Sequence, residues 1–280
     1  YSKQNILNQD IEAVKKVLKS DFITQGPVIT KFEKKVSNYC GVRYAKAMNS
    51  ATSALHVACM SLGLKKNDWV WTSPNTFVSS ANCALMCGAK IDFIDIDLKT
   101  YNIDTVKLEK KLIVAKEKGI LPKIVIPVHF GGQPCEMQTI FNLSKKYKFK
   151  IIEDASHAIG ATYSLIKQAK KTKNRRIKIG SCLHSDIVIF SFHAVKVITS
   201  AEGGMALTNN KKISEKMSEL RTHGITRNKE KFNSTPTNEI WNYQQINLGY
   251  NYRMSEVQAA LGLSQMKNLN KFIQRRRDIA

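Results

Sequence analysis

Ile11, Val14, Val17 and Leu18 recur at helical spacing behind Asp10, and predict an amphipathic helix over 8–18 with Asp10 as its N-cap. A second helical pattern follows the turn-rich Thr24-Gln25-Gly26-Pro27; it runs through Phe32, Val36 and Tyr39 to Gly41, a stop signal. The pattern then shortens to strand length. Strands are predicted at 44–48, 69–72, 91–96, 123–128, 150–153, 187–191 and 205–208, with helical patterns between most of them. Ile124-Val125-Ile126 and Ile187-Val188-Ile189 are apolar throughout, as in strands covered on both faces, so the alternation predicts an α/β fold with a mainly parallel sheet. Near the end, Val257, Ala260, Leu261, Leu263, Met266 and Leu269 predict one amphipathic helix over 255–271, followed by the basic Arg275–Arg277. The charged helical pattern has no cap, which is the expectation for a fragment of a longer chain.

A length of 280 residues with 43% hydrophobic content allows one large domain with a smaller appendage. No apolar run approaches the ~20 residues of a membrane-spanning helix, and no signal peptide is visible, so a cytoplasmic protein without a membrane partner is expected. The net charge of +22 raises the question of nucleic acid. It comes from 35 Lys against 9 Arg, scattered along the chain. Nucleic-acid readers concentrate arginine and aromatic residues on one face, so no nucleic-acid partner is expected. The densest basic cluster, 167–178, reads as an exposed loop that could also attract a phosphorylated substrate. Cys40, Cys59, Cys83, Cys87, Cys135 and Cys182 lack the spacing of a zinc site and read as reduced thiols; no metal is expected.

Ligands of open α/β sheets gather beyond the carboxyl ends of the strands, and four polar segments fall there. Asn49-Ser50-Ala51-Thr52-Ser53 joins a strand to a helix N-terminus, which suits a phosphate or is an ordinary cap. Glu153-Asp154-Ala155-Ser156-His157 ends a buried strand; Asp154 could hold a ring nitrogen protonated or cap a helix. Phe190-Ser191-Phe192-His193-Ala194-Val195-Lys196 places a lysine among apolar neighbours, where loss of solvation lowers its proton affinity and frees a nucleophilic amine. The Gly203-Gly204 pair downstream would let the backbone turn sharply beside a site. Finally, Trp71-Thr72-Ser73-Pro74-Asn75-Thr76-Phe77 presents Phe77 either to a planar cofactor or to the core.

In combination these segments resemble a known family. Asn49-Ser-Ala-Thr-Ser-Ala-Leu55, Glu153-Asp-Ala-Ser-His-Ala-Ile-Gly160, Ser191-Phe-His-Ala-Val-Lys196 with Thr199 and Ala201-Glu-Gly-Gly204, and Leu248-Gly-Tyr-Asn-Tyr-Arg-Met254 resemble, in order, the motifs of the DegT/StrS sugar aminotransferases. The resemblance implies a fold type I, aspartate aminotransferase-like, pyridoxal-phosphate enzyme, with a mainly parallel seven-stranded sheet sandwiched by helices. It implies a large cofactor domain over 1–245, the start of a small C-terminal domain over 246–280, and a homodimer with active sites between subunits. Carried across by motif, Lys196 holds the cofactor, Asp154 pairs with the pyridine nitrogen and His157 lies near the ring hydroxyl. Thr52, Ser53 and Ser191 hold the phosphate, Phe77 stacks on the ring, and Asn251 reaches the phosphate from the partner subunit. Many relatives carry Gln in place of His157 and Pro in place of Ala194; neither departure removes a group the reaction requires.

Thr24-Gln-Gly-Pro27, Trp71-Thr-Ser-Pro74, Ser79-Ser-Ala-Asn82, the segment 129–135 and Ala259-Ala-Leu-Gly-Leu-Ser-Gln265 narrow the resemblance. They point to the members that aminate C-4 of a UDP-linked 4-keto-6-deoxy-N-acetyl sugar in pseudaminic acid biosynthesis, with L-glutamate as amino donor. The implied chemistry uses the Lys196 amine as general base and Asp154 to keep the ring nitrogen protonated, so that the cofactor serves as electron sink. Three alternatives stay open at this point. One is an aminotransferase for another nucleotide-linked keto sugar. A second is a pyridoxal-phosphate sugar dehydratase, although those relatives typically replace the lysine with histidine. The third is a basic surface-binding protein on a degenerate enzyme fold, which predicts a concentrated basic face and loss of the Asp154/Lys196 pair.

Overall fold

The computed structural model of the chain describes residues 3–165, 176–233, 239 and 241–279. Its strands are β1 (Tyr44–Met48), β2 (Trp69–Thr72), β3 (Lys90–Phe93), β4 (Ile124–Ile126), β5 (Lys150–Asp154), β6 (Thr162–Ser164), β7 (Arg176–Lys178), β8 (Ile187–Ser191), β9 (Gly204–Thr208), β10 (Ile225–Thr226) and β11 (Gln244–Gln245). The helices are α1 (Asn8–Leu18), α2 (Pro27–Cys40), α3 (Ala51–Ser61), α4 (Ser79–Leu85), α5 (Thr105–Glu117), α6 (Met137–Tyr147), α7 (Lys211–Leu220), α8 (Glu256–Gln265) and α9 (Leu269–Ile279).

Seven strands form the central sheet in the order β1-β9-β8-β5-β4-β2-β3. β9 pairs antiparallel with both neighbours, and every other pairing is parallel, which is the mainly parallel sheet expected. Side chains alternate across it. Ile124, Ile126, Ile152, Ile187 and Ile189 pack with Leu55, Ala58 and Cys59 of α3 on one face. Val125 and Ile151 pack with Leu108 and Leu112 of α5 and Ile140 of α6, while Val188 and Phe190 join Phe32 and Val36 of α2. With both faces covered, the strands are the near-continuous apolar runs seen along the chain.

Several boundaries differ from the sequence pattern. Asp10 is not the N-cap of α1: the helix starts at Asn8, Leu7 is the cap residue, and Asp10 sits one turn in, where its Oδ2 accepts the Leu7 N–H at 2.9 Å. The predicted strand over 91–96 leaves the sheet after Phe93; Ile96 bridges to Ile103 instead. The single helix predicted over 255–271 is two. A 3-10 turn, Met266–Asn268, separates α8 from α9, and its tighter winding turns Met266, Leu269, Phe272 and Ile273 toward the core around Phe32. Gln265 anchors the end of α8 to α1 through Asp10 Oδ2 at 2.6 Å. Gly41 ends α2 in the left-handed region (φ 72°), as read.

Of the basic stretch 167–178, residues 167–175 lie outside the described residues. Lys178, at the end of β7, donates to the Tyr39 carbonyl at 2.7 Å and lies over its ring. Among the described residues, no helix is long and apolar enough to cross a membrane, and no group of three His, Cys, Asp or Glu could hold a metal. The six cysteines are free thiols.

Candidate active site

β5 delivers two carboxylates in succession, and strand alternation sends them apart. Glu153 Oε2 meets the Nε2 of buried His129 at 2.8 Å, and its other oxygen accepts from Ser185. His129 Nδ1 accepts the Cys135 N–H at 3.0 Å, so the ring proton sits on Nε2 and points at Glu153. Asp154 turns the other way, into a cavity. Its Oδ1 accepts the Ser156 N–H at 3.1 Å and its Oδ2 accepts the Ser80 hydroxyl at 2.6 Å. The capping alternative fails because no helix follows β5; the chain turns into β6.

The second wall comes from the N-terminus of α3. Ser50 caps it, its Oγ accepting the Ser53 N–H at 3.0 Å. Ala51 and Thr52 border the cavity, and the first N–H groups of the helix, with the positive end of its dipole, make an anion seat. The Thr52 hydroxyl pairs with that of Ser79 at 2.7 Å. Ser53 is turned inward: its hydroxyl bonds Asn49 Oδ1 and lies 2.7 Å from Ser50 Oγ. β9 passes close behind. A Cβ on Gly204 would lie 2.3 Å from the Ser50 carbonyl oxygen and 2.5 Å from Ala51 N, so only glycine admits this approach. The glycine pair therefore serves a close packing rather than the turn expected of it. The left-handed residue in this loop is Ala201 (φ 66°), with its N–H held by Thr199 Oγ1 at 2.9 Å.

Lys196 lies in the loop between β8 and β9. The loop is tied by the Phe192 N–H to the Gly203 carbonyl (2.8 Å), Ser200 N–H to Phe192 (2.9 Å) and Lys196 N–H to His193 (3.0 Å). The half-buried Lys196 ammonium has no hydrogen-bonded acceptor among the described residues. Partial burial holds its proton affinity below the ordinary lysine value, opposed by the negative charge of Asp154. The His157 ring is also held below its usual value, first by the atoms crowding it and then by Lys196. The Arg276 guanidinium of α9 donates to the Lys196 carbonyl at 3.4 Å.

One cavity of about 460 Å³ brings together Thr52, Phe77, Asp154, His157, Ser191 and Lys196. Phe77 is 73% exposed, which removes the core-packing alternative. Ser53 and Asn251 do not line this cavity. Asn251 is exposed and bridges Thr222 through its backbone. Thr76, Ser79, His129 and Glu202 also line the cavity; each falls within a segment read from the sequence, but none was assigned a role there, because the reading fixes which segment is polar and not which of its side chains faces the cavity.

The size lies within the ~300–1,000 Å³ usual for small-molecule sites, and the contents are specific: an amine, a carboxylate, an anion seat and an exposed aromatic ring. Residues 4–280 match the DegT/DnrJ/EryC1/StrS aminotransferase family. The chain belongs to that family. With that membership come transaminase chemistry and pyridoxal phosphate as cofactor. The chain is 43% identical over 279 residues to the UDP-4-amino-4,6-dideoxy-N-acetyl-beta-L-altrosamine transaminase of Campylobacter jejuni, covering 100% of this chain and 67% of that relative. Its fold is similar to Helicobacter pylori PseC, an aminotransferase involved in the biosynthesis of pseudaminic acid, with a TM-score of 0.81, 31% identity, and coverage of 99% of this chain and 67% of that one. It is also similar to NtdA of Bacillus subtilis with bound PMP cofactor, with a TM-score of 0.75, 29% identity, and coverage of 95% and 55%. The solved relatives extend the expected fold type I architecture to this chain.

Proposed function

We propose that this chain transfers the amino group of L-glutamate to the C-4 ketone of a UDP-linked 4-keto-6-deoxy-N-acetyl-hexosamine, in the biosynthesis of pseudaminic acid or a related surface sugar. The observation that carries the reading is the convergence in one cavity of a half-buried lysine, whose ammonium has no hydrogen-bonded acceptor among the described residues, with a carboxylate held at both oxygens and a helix N-terminus. Similarity to the Campylobacter jejuni transaminase and to PseC supports the choice of sugar.

The residues fit pyridoxal phosphate. When bound, it supplies an electron sink for the carbon that loses its proton. Lys196 would hold it covalently and, once released, move a proton as general base, a task for which its lowered proton affinity prepares it. Asp154 would pair with the pyridine nitrogen, and His157 would lie by the ring hydroxyl. Thr52 and Ser191 would take the phosphate at the α3 N-terminus, with Ser53 supporting the turn through Asn49 and Ser50. Phe77 would cover the ring.

Asn251, exposed and outside this cavity, would serve the site of a second copy, so the acting unit is a homodimer working on soluble substrates in the cytoplasm. Residues 1–245 form the cofactor domain in this reading, and 246–280 lead into a second, smaller region.

The test is an absorption spectrum of the protein with pyridoxal phosphate, before and after L-glutamate, beside Lys196→Ala. A visible band that glutamate abolishes in the wild type, and that the variant never forms, is the expected result. A band that persists in Lys196→Ala would sink the assignment of the lysine. Amination of the UDP-4-keto sugar, followed by mass spectrometry, then tests the acceptor.

A further inference from the structure

Consecutive residues at the start of α4 reach the two ends of the cavity. Ser79 Oγ lies 2.7 Å from Thr52 Oγ1 at the anion seat, and Ser80 Oγ lies 2.6 Å from Asp154 Oδ2. Ser80 is fully buried, and its sole hydroxyl proton is directed at Asp154. A third hydroxyl, Thr76 Oγ1, lies 2.8 Å from Ser80 Oγ. Because the one Ser80 hydroxyl proton is engaged in the hydrogen bond to Asp154, the contact with Thr76 has one direction: Thr76 donates and Ser80 accepts. The chain of donors runs Thr76 to Ser80 to Asp154.

Such a chain has two consequences. Successive hydrogen bonds polarise one another, so the bond reaching the carboxylate is stronger than an isolated one. It also fixes rotation about the last side-chain bond of Asp154: Ser156 N–H holds Oδ1, Ser80 holds Oδ2, and the carboxylate plane has one setting. Thr76, Phe77 and Ser79 all line the cavity, so the turn that supplies the donors also supplies its aromatic wall.

We infer that Ser80, backed by Thr76, is a positioning residue for the cofactor: it sets the plane in which Asp154 meets the pyridine nitrogen, and α4 thereby couples the ring end of the site to its phosphate end. The inference rests on the cofactor placement proposed above.

The experiment measures the pyridoxal-phosphate dissociation constant by fluorescence for the wild type, Ser80→Ala, Ser80→Thr and Thr76→Val, with melting temperatures of the cofactor-free proteins. Loss of a hydrogen bond to a carboxylate predicts about tenfold weaker binding for Ser80→Ala. Loss of the remote donor predicts a change of roughly two- to threefold for Thr76→Val. Ser80→Thr, which keeps the hydroxyl, should bind more tightly than Ser80→Ala. A folded Ser80→Ala that binds like the wild type overturns the inference while leaving the cofactor assignment intact. If Ser80→Ala does not fold, Thr76→Val decides, and unchanged affinity there overturns it. A wild type that does not bind pyridoxal phosphate overturns both this inference and the proposed function.

Discussion

β5 and β8 run side by side and deliver to the same cavity a carboxylate and an amine held in opposite ways. Asp154 is the last residue of its strand, is 5% exposed, and has both oxygens occupied by donors from different parts of the chain. Lys196 comes five residues after its strand has ended at Ser191, is half-buried, and has no acceptor for its ammonium among the described residues. Placing one group on the end of a strand and the other within a loop separates precision from reach. A carboxylate that pairs with one ring atom throughout a reaction benefits from a fixed plane. An amine that holds a cofactor, lets go and then carries a proton needs slack, and a strong hydrogen bond would have to be broken at each release.

The largest effect is expected from removing the amine. Lys196→Ala should lower amino transfer by on the order of 10⁴-fold, measured as turnover and as glutamate-dependent loss of the cofactor's visible band, because the covalent attachment and the proton transfer proposed for it would be lost together. Residual turnover within tenfold of wild type would mean that another base does its work. The fixed partner comes next. Asp154→Asn keeps the shape and much of the hydrogen-bonding capacity but removes the charge, and should cost about 10²–10³-fold in kcat with a smaller change in cofactor affinity. An affinity collapse with kcat intact would show that Asp154 anchors the cofactor rather than tuning it.

How far these two groups could be read from the chain differs for the same reason that they are held differently. Lys196 stood out because a lysine among Phe190, Phe192 and Val195 violates the ordinary pattern, and Asp154 because a carboxylate ended an apolar run. The sheet was legible for a related reason: strands buried on both faces must be apolar at every position. What holds Asp154 was not legible. Ser80 is 74 residues away and looks like any helix-start serine; only the packing of α4 on β2 and α3 brings it there. The Gly203-Gly204 pair was visible but its use was not. Sequence shows that glycine permits a turn, whereas the contact Gly204 relieves is with Ser50, the N-cap of α3. Asn251 points to a different limit, since it lies outside the cavity and the role proposed for it would need a second copy of the chain.

Gly204 offers a milder test, because it sharpens the contrast without touching either group. Its place on β9 joins the strand beside Ser191 to the α3 N-terminus, so Gly204→Ala should force the backbone at Ser50 and Ala51 to shift. Overpacking of this kind predicts a fall in melting temperature of roughly 3–10 °C and weaker binding of pyridoxal phosphate. A matching fall in stability with cofactor affinity unchanged would show that the close approach serves the sheet and not the anion seat.

The smallest expected effect comes from the Lys196 ammonium, which has no hydrogen-bonded acceptor among the described residues. Burial holds its proton affinity below the ordinary lysine value of ~10.4, so between the lowered value and ~10.4 the unfolded chain binds more protons than the folded one. Stability therefore rises with pH across that window, and below it the folded state carries the full cost of a partly buried ammonium. Replacing the lysine with an apolar side chain of similar length removes that cost. Lys196→Met should raise the melting temperature of the cofactor-free protein by roughly 1–2 °C near pH 7, a figure kept small because half-exposure lets solvent screen the charge. The gain should shrink as the pH rises through that window and vanish well above ~10.4, where the wild-type amine is neutral in both states. A drop in melting temperature near pH 7 would mean that attraction to Asp154 outweighs the cost of burial; the amine would then be tethered like the carboxylate, and the contrast between the two strand ends would fail.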